Sequence, residues 1–163
     1  MNSKLLEEYE NRFAGKGTWV LKCPAVPPSG NITKRMHWTA YAHLMEMWYL
    51  LIRSSDGFLT VTLPSGKRFV NIIRYSKRSL DRDNLYTSVK PVVDALKPSL
   101  KQSGVYKSGK KVGQTWTRQR VGHGLIVEDN DSSLELKAIN GTLPKRTKPY
   151  TLIVISDFPI IEG

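Results

Sequence analysis

The stretch Asp81-Arg82-Asp83-Asn84-Leu85-Tyr86-Thr87-Ser88-Val89-Lys90-Pro91-Val92-Val93-Asp94-Ala95-Leu96-Lys97 decides how the chain is read. At about 100° per residue, Leu85, Val89, Val92, Val93 and Leu96 fall on one face, which predicts a helix from about Asn84 to Lys97 with that face in a core. Asp83, Lys90 and Asp94 project together from the opposite face. Pro91 removes one backbone donor and predicts a kink. The helix is thus apolar on one side and carries charged, chemically able groups on the other.

Outward from this helix, the chain alternates between strand and helix patterns. Upstream, Thr18 to Cys23 reads as a strand stopped by Pro24, and Pro27-Pro28-Ser29-Gly30-Asn31 is turn chemistry. His37 to Arg53 carries Tyr41, Leu44, Met45, Trp48, Leu51 and Ile52 at helical spacing. Phe58 to Leu63 and Phe69 to Tyr75, joined across Pro64-Ser65-Gly66-Lys67, read as a β-hairpin. Downstream, residues 98–122 read as a mobile basic loop, within which Val112 to Arg120 could form an arm. Strands near Leu134 to Ile139 and Tyr150 to Ser156 follow. Residues 1–17 read as a polar helix or loose arm. The expectation is a single α+β domain with a mixed sheet and two main helices, in the order β-α-β-β-α-β-β.

Composition narrows the function. The chain has 163 residues and is 40% hydrophobic, enough for one core. No apolar run nears the roughly 20 residues that span a bilayer, and no signal-peptide pattern opens the sequence. The single cysteine, Cys23, excludes an intramolecular disulfide and fits a reducing compartment. A soluble cytoplasmic protein without a membrane partner is expected.

Lysine and arginine outnumber aspartate and glutamate by 25 to 14, a net charge of +11, which points to a polyanionic partner. A merely basic soluble protein would share that total, but the distribution argues against it. From Gly57 to Leu80 no carboxylate accompanies Lys67, Arg68, Arg74, Lys77 and Arg78. From Ala95 to Val127 none accompanies Lys97, Lys101, Lys107, Lys110, Lys111, Arg118 and Arg120. The acids Asp81, Asp83 and Asp94 lie between these windows, and Glu128, Asp129 and Asp131 follow the second.

Two carboxylates two residues apart, Asp81 and Asp83, point to one side if the segment is extended, and a hard divalent cation needs oxygen ligands on one side. The alternative is an Asx turn with Asp83 or Asn84 capping the helix. Gly124-Leu125-Ile126-Val127 delivers Glu128, Asp129, Asn130 and Asp131, either as a second acidic window or as a strand ending in a solvated turn. The histidines are assigned no chemistry: His37 and His43 belong to the first helix, and His123 stands alone in a loop.

Taken jointly, these residues resemble the RusA family of Holliday-junction resolvases over roughly residues 18–157. The matching pattern is Asp81-Arg82-Asp83-Asn84-Leu85, Lys90, Asp94-Ala95-Leu96 and then Gly124 to Asp129. The turn Pro27-Pro28-Ser29-Gly30-Asn31 also matches. The resemblance implies a homodimeric endodeoxyribonuclease that resolves four-way DNA junctions by paired nicks and uses magnesium, or manganese in its place. It implies Asp81, Asp83 and Asp129 as metal ligands with Glu128 beside them, and Lys90 as the cation that stabilises charge on the phosphoryl oxygens. Asn84 and Asp131 are secondary, and Asp94 either ligands or orients the site or simply pairs with Lys90 at i,i+4. DNA is expected on Lys67, Arg68, Arg74, Lys77, Arg78, Lys107, Lys110, Lys111, Arg118 and Arg120.

Three departures from the family pattern stand out. The spacing from Asn84 to Lys90 is longer than in the compact form, and Glu128-Asp129 replaces two aspartates. Residues 98–123 are an insertion, expected either to contact DNA or to be a disordered surface loop. Two other functions share these features: a non-catalytic nucleic-acid-binding protein, and a nuclease of the same fold acting on flaps or forks.

Overall fold

A computed structural model describes residues 17–160; the arm expected at the N-terminus lies almost wholly outside them. The fold is α+β, as expected. Strand β1 (Thr18–Cys23) leads through a one-turn helix α1 (Gly30–Thr33) to helix α2 (Trp38–Arg53). Strand β2 (Arg68–Ser76), helix α3 (Arg82–Leu96), strands β3 (Pro98–Val105) and β4 (Thr115–His123), then β5 (Leu134–Thr142) and β6 (Tyr150–Ser156) follow. Four strands form one mixed sheet in the order β1-β6-β2-β5, while β3 and β4 form a separate two-stranded ribbon. β6 runs antiparallel to both β1 and β2, and β2 runs parallel to β5.

The sheet's apolar periodicity explains its layering. Val70 and Ile72 of β2, Leu21 and Cys23 of β1, and Ile153 and Ile155 of β6 face the helices and pack with Trp48, Ile52, Val89, Val92 and Leu96. Ile73, Tyr150 and Leu152 face the other way, in a smaller cluster with Val20, Tyr75 and Ile139. α3 ends where Lys97 turns extended, because the residue before Pro98 is excluded from helical geometry. Pro91 lies inside α3 and is buried; the helix runs through it with one donor fewer.

Three expectations are corrected. Phe58–Leu63 is not a hairpin strand: Phe58–Thr60 is a 3-10 turn that starts at Gly57. Phe58 packs inward while Leu59 and Leu63 are exposed, and the Thr62 carbonyl, which a ladder would have used, accepts from Arg68 Nη2 at 2.6 Å. Residues 98–122 are not a loose loop but belong to the β3–β4 ribbon, paired from Pro98↔His123 to Val105↔Thr115 with one register shift between Pro98 and Leu100. His123 is accordingly a strand residue; it stacks on Tyr49 at 4.0 Å between ring centroids and meets Phe58 edge-on.

The turn at residues 27–31 is fastened to α3. Pro27 O accepts from both Arg74 Nε and Ser88 Oγ. A Cβ at Gly30 would stand 2.7 Å from Thr87 Cβ and 2.8 Å from Asn84 O, so α1 sits this close to α3 only because residue 30 has no side chain. Gly30→Ala is expected to cost about 1–3 kcal/mol by overpacking. Urea unfolding would measure it, and a loss under about 0.5 kcal/mol, the range of ordinary surface changes, would show that the two helices can separate freely.

Candidate active site

The outward stripe of α3 places charged groups at both ends of the helix. At its start Asp81 is the N-cap: its carboxylate accepts the Asn84 backbone N–H at 3.0 Å and the Asn84 side-chain amide. These bonds, the backbone one foremost, hold the Asp81 carboxyl below the usual range. Asp83 lies exposed in the first turn, where a negative charge complements the helix dipole. The Asp81–Asp83 segment is therefore a corner rather than an extended pair, and the cap is Asp81, neither Asp83 nor Asn84.

At the other end five charged side chains converge. Asp94, Lys97 and Tyr41 lie inside, and Lys90, Glu128 and Asp129 lie at the rim. Asp94 is buried, with its side chain 7% exposed; its Oδ1 pairs with Lys97 Nζ at 3.0 Å and its Oδ2 accepts from Tyr41 Oη at 2.7 Å. The Lys97 ammonium also reaches Asp129 Oδ2 at 3.1 Å and Glu128 Oε1 at 3.4 Å. Oxygens of three carboxylates thus surround one ammonium. Lys90, more than half exposed, stands 3.6 Å from Asp94 Oδ1 and 3.8 Å from Asp129 Oδ2.

The acidic pair comes here through backbone contacts. Gly124 N–H donates to Lys97 O, and Leu125 N–H donates to Leu96 O at 2.8 Å. A Cβ at Gly122 would lie 1.9 Å from Lys97 O, so only glycine lets the ribbon's end pass so close to the end of α3. Leu125 and Ile126 are then buried in the core, which carries Glu128 and Asp129 over Lys97.

The electrostatics follow from this packing. Burial works against the charge on Lys97, but hydrogen bonds and Coulombic attraction from Asp94 and Asp129 outweigh it and raise its pKa. Burial also works against the Asp129 carboxylate and is outweighed by hydrogen bonding with Glu128 and Lys97 and by the charges of Lys97 and Lys90, so its pKa is lowered. Burial, and then the Asp94 carboxylate, push the Tyr41 phenol far up, so it remains a hydrogen-bond donor.

The structure separates what the sequence pattern grouped. Lys90, Asp94, Glu128 and Asp129 are brought together. Asp83 stands seven residues before Lys90, about 10 Å along the helix axis, and Asp81 lies beyond it. The exposed Asp131 takes no part. Asn84 serves the cap. Tyr41 and Lys97 were not anticipated as site residues; the one signal was the position of Lys97, three residues after Asp94 and directly before Pro98.

Two arginines leave the DNA-facing set. Arg68 is fully buried: Nε meets Asp157 Oδ1 at 2.9 Å, Nη1 donates to Leu125 O and Nη2 to Thr62 O. Arg74 is also buried and donates to Pro27 O and Arg78 O. Both lie on β2, an inner strand, where a guanidinium persists only by satisfying protein acceptors. Lys77, Arg78, Lys107, Lys110, Lys111 and Arg118 are exposed, and Arg120 is half-buried. Lys67 is partly exposed and stands 3.7 Å from Glu135.

As metal donors these side chains suit a hard cation in kind, being carboxylates without a sulfur or imidazole. Their arrangement does not match the implied ligand set. Among the described residues no three acidic, histidine or cysteine side chains are grouped to hold an ion, and three of the carboxylates are turned to Lys97 instead. No helix among the described residues is long and apolar enough to cross a membrane. No family model, curated protein or solved structure matches the chain.

Proposed function

We propose that the chain is a RusA-like endodeoxyribonuclease that cuts branched DNA, with the four-way junction as its substrate and a second copy of itself as its partner. The observation that carries this reading is the meeting of Lys90 with Asp129 on the helix that opens with Asp81-Arg82-Asp83-Asn84. An exposed lysine and an acid from the second window share one rim, and a basic ribbon leaves the fold at the same point. That ribbon presents Lys101, Lys107, Lys110, Lys111 and Arg118 without a carboxylate, and a two-stranded antiparallel ribbon fits the major groove of duplex DNA.

The residues divide the work. Lys90 is held only by contacts longer than 3.5 Å and is free to turn toward a phosphoryl oxygen that gains charge as the bond breaks. Lys97 and Tyr41 fix Asp94, and Asp94 and Asp129 hold Lys90 over the rim. Magnesium, or manganese in its place, belongs to this reading through the oxygen donors Asp81, Asp83, Asp129 and Glu128; when bound it would supply an activated water and offset charge on the leaving oxygen. Of those donors, Asp81 and Asp83 lie at the start of α3 and Glu128 and Asp129 at its other end.

The test is incubation of the protein with labelled four-way junction and with linear duplex, each with magnesium and with EDTA. Paired symmetric nicks in the junction only, lost in EDTA, are expected. Cutting of flaps or forks alone would make it a nuclease of other branches. Tight binding without cutting in either condition would favour a non-catalytic DNA-binding protein, a reading that the Lys97-centred arrangement of the acids also suits.

A further inference from the structure

β2 and β5 are the parallel pair of the sheet, and they end side by side, with Ser76 opposite Thr142. Beyond their carboxyl ends the chain parts in two directions, toward α3 and toward β6, and opens a cleft of about 490 Å³. A crevice outside the carboxyl ends of parallel strands is where open α/β sheets take ligands. Its lining includes Lys77, Ser79, Asn140, Thr142, Lys145 and Arg146 and no carboxylate. None of the three cations forms an ion pair or a ring contact with a described residue, in contrast to Lys67, Lys90 and Lys97.

The cleft is built rather than incidental. The Asn140 side chain bonds to both polar groups of the Leu80 backbone, Nδ2 donating to Leu80 O at 2.8 Å and Oδ1 accepting from Leu80 N–H at 3.1 Å. One wall is thereby fastened to the residue immediately before Asp81. Buried Arg74 holds the same wall through Arg78 O at 3.0 Å. On the opposite wall Arg146 adopts φ 59°, the one positive φ outside glycine among the described residues. That conformation is unfavourable for a long side chain and is kept only where the surroundings impose it.

We propose that this cleft is a second nucleic-acid site, which holds the phosphate backbone of a DNA strand through Lys77, Lys145 and Arg146 and leads that strand past Asp81 and Asp83. Unpaired cations, hydroxyls and no acid suit a phosphodiester. The lining has no aromatic ring on which a base would stack, so the sugar–phosphate chain fits it better than a free nucleotide. The inference rests on the branched-DNA reading above and extends it. The ribbon and the acidic rim lie at one end of α3 and this cleft lies at the other, so a branched substrate would be held on both sides of the helix.

The test uses the triple variant Lys77→Gln/Lys145→Gln/Arg146→Gln. Its side chains are exposed and make no protein bond, so the fold should be kept. Binding of a labelled four-way junction is followed by anisotropy across a salt series. The variant is expected to lose about tenfold or more in affinity, and its log-log salt slope should flatten by about 0.9 for each phosphate contact removed, up to nearly 3. Wild-type protein that binds the junction while the variant shows the same affinity and slope would overturn the cleft and leave the nuclease reading standing. Wild-type protein that binds no DNA would overturn both. Amide NMR shifts of Gly141 and Thr142 separate the sources of phosphate. Saturation by an oligonucleotide far below the concentration needed of inorganic phosphate supports a backbone site, and the reverse order overturns it in favour of a small-anion site.

Discussion

Lys97→Met is expected to remove about 3–5 kcal/mol of folding stability, because it breaks a buried ionic group by deleting one partner. Methionine keeps most of the length and apolar surface of the lysine stem, so the loss reads the ammonium. Without it, Asp94 stays buried with only the Tyr41 hydroxyl and the distant Lys90 as partners, and Glu128 and Asp129 face each other across an empty position. In a domain of this size the melting point should fall by roughly 10 °C. Adding Asp94→Asn, which can still accept from Tyr41, should return a sizeable part of the loss, since the stranded charge is then gone. Urea unfolding of both variants tests this. A single variant within about 0.5 kcal/mol of wild type would reduce the network to surface ion pairs.

The pH dependence has a definite sign. Lys97, whose pKa is raised by folding, contributes fully below its unfolded value and loses that contribution as pH rises through the folded one. Asp129, whose pKa is lowered, contributes above its unfolded value and loses it as pH falls through the folded one. The difference between wild type and Lys97→Met should therefore be greatest near neutrality and shrink in both acid and strong alkali.

The second large effect concerns cleavage rather than folding. Asp83→Asn is expected to abolish junction cutting, because in the proposed function its carboxylate holds the divalent cation, while binding stays equal or tightens because a charge that repels phosphate is gone. Asp83 makes no side-chain bond to a described residue, so its variant should lose no more than the roughly 0.3–1 kcal/mol that a first-turn acid contributes through the helix dipole. Asp81→Asn makes a sharper comparison: asparagine caps a helix as well as aspartate does, so the cap survives and only the charge is lost. Both variants cutting at near wild-type rates would remove the Asp81–Asp83 corner from the chemistry and leave it a helix start.

Much of the frame was legible from periodicity. Leu85, Val89, Val92, Val93 and Leu96 mark α3, and Pro98 marks its end; the short apolar run Leu152-Ile153-Val154-Ile155 marks a strand, which the structure shows to be buried throughout. Arg68 and Arg74 misled because a cation in a strand pattern looks like surface. Only the pairing of β2 with both β5 and β6 reveals that it is an inner strand. The Asp81–Asp83 spacing is the same for a ligand pair and for a cap with a first-turn acid, so local sequence had no means of choosing. The Tyr41–Asp94 bond joins positions 53 residues apart, and Lys97 becomes a hub only because Gly122 lets the end of the ribbon cross over it. These are tertiary facts without a local signature.

The strand order also governs how the chain reaches its fold. β6 lies between β1 and β2, yet it is the last described strand to leave the ribosome, and its outermost pairing joins Thr18 to Ser156. Until it emerges, β1 has no neighbour, and β2 has only the parallel edge of β5. Closing such long loops before their contacts form is slow, and a nascent chain with open strand edges is prone to stick to others. The sheet should therefore be unable to zip until residues 150–156 have emerged, and a chain stalled short of residue 150 would remain a target for chaperones however complete its helices are.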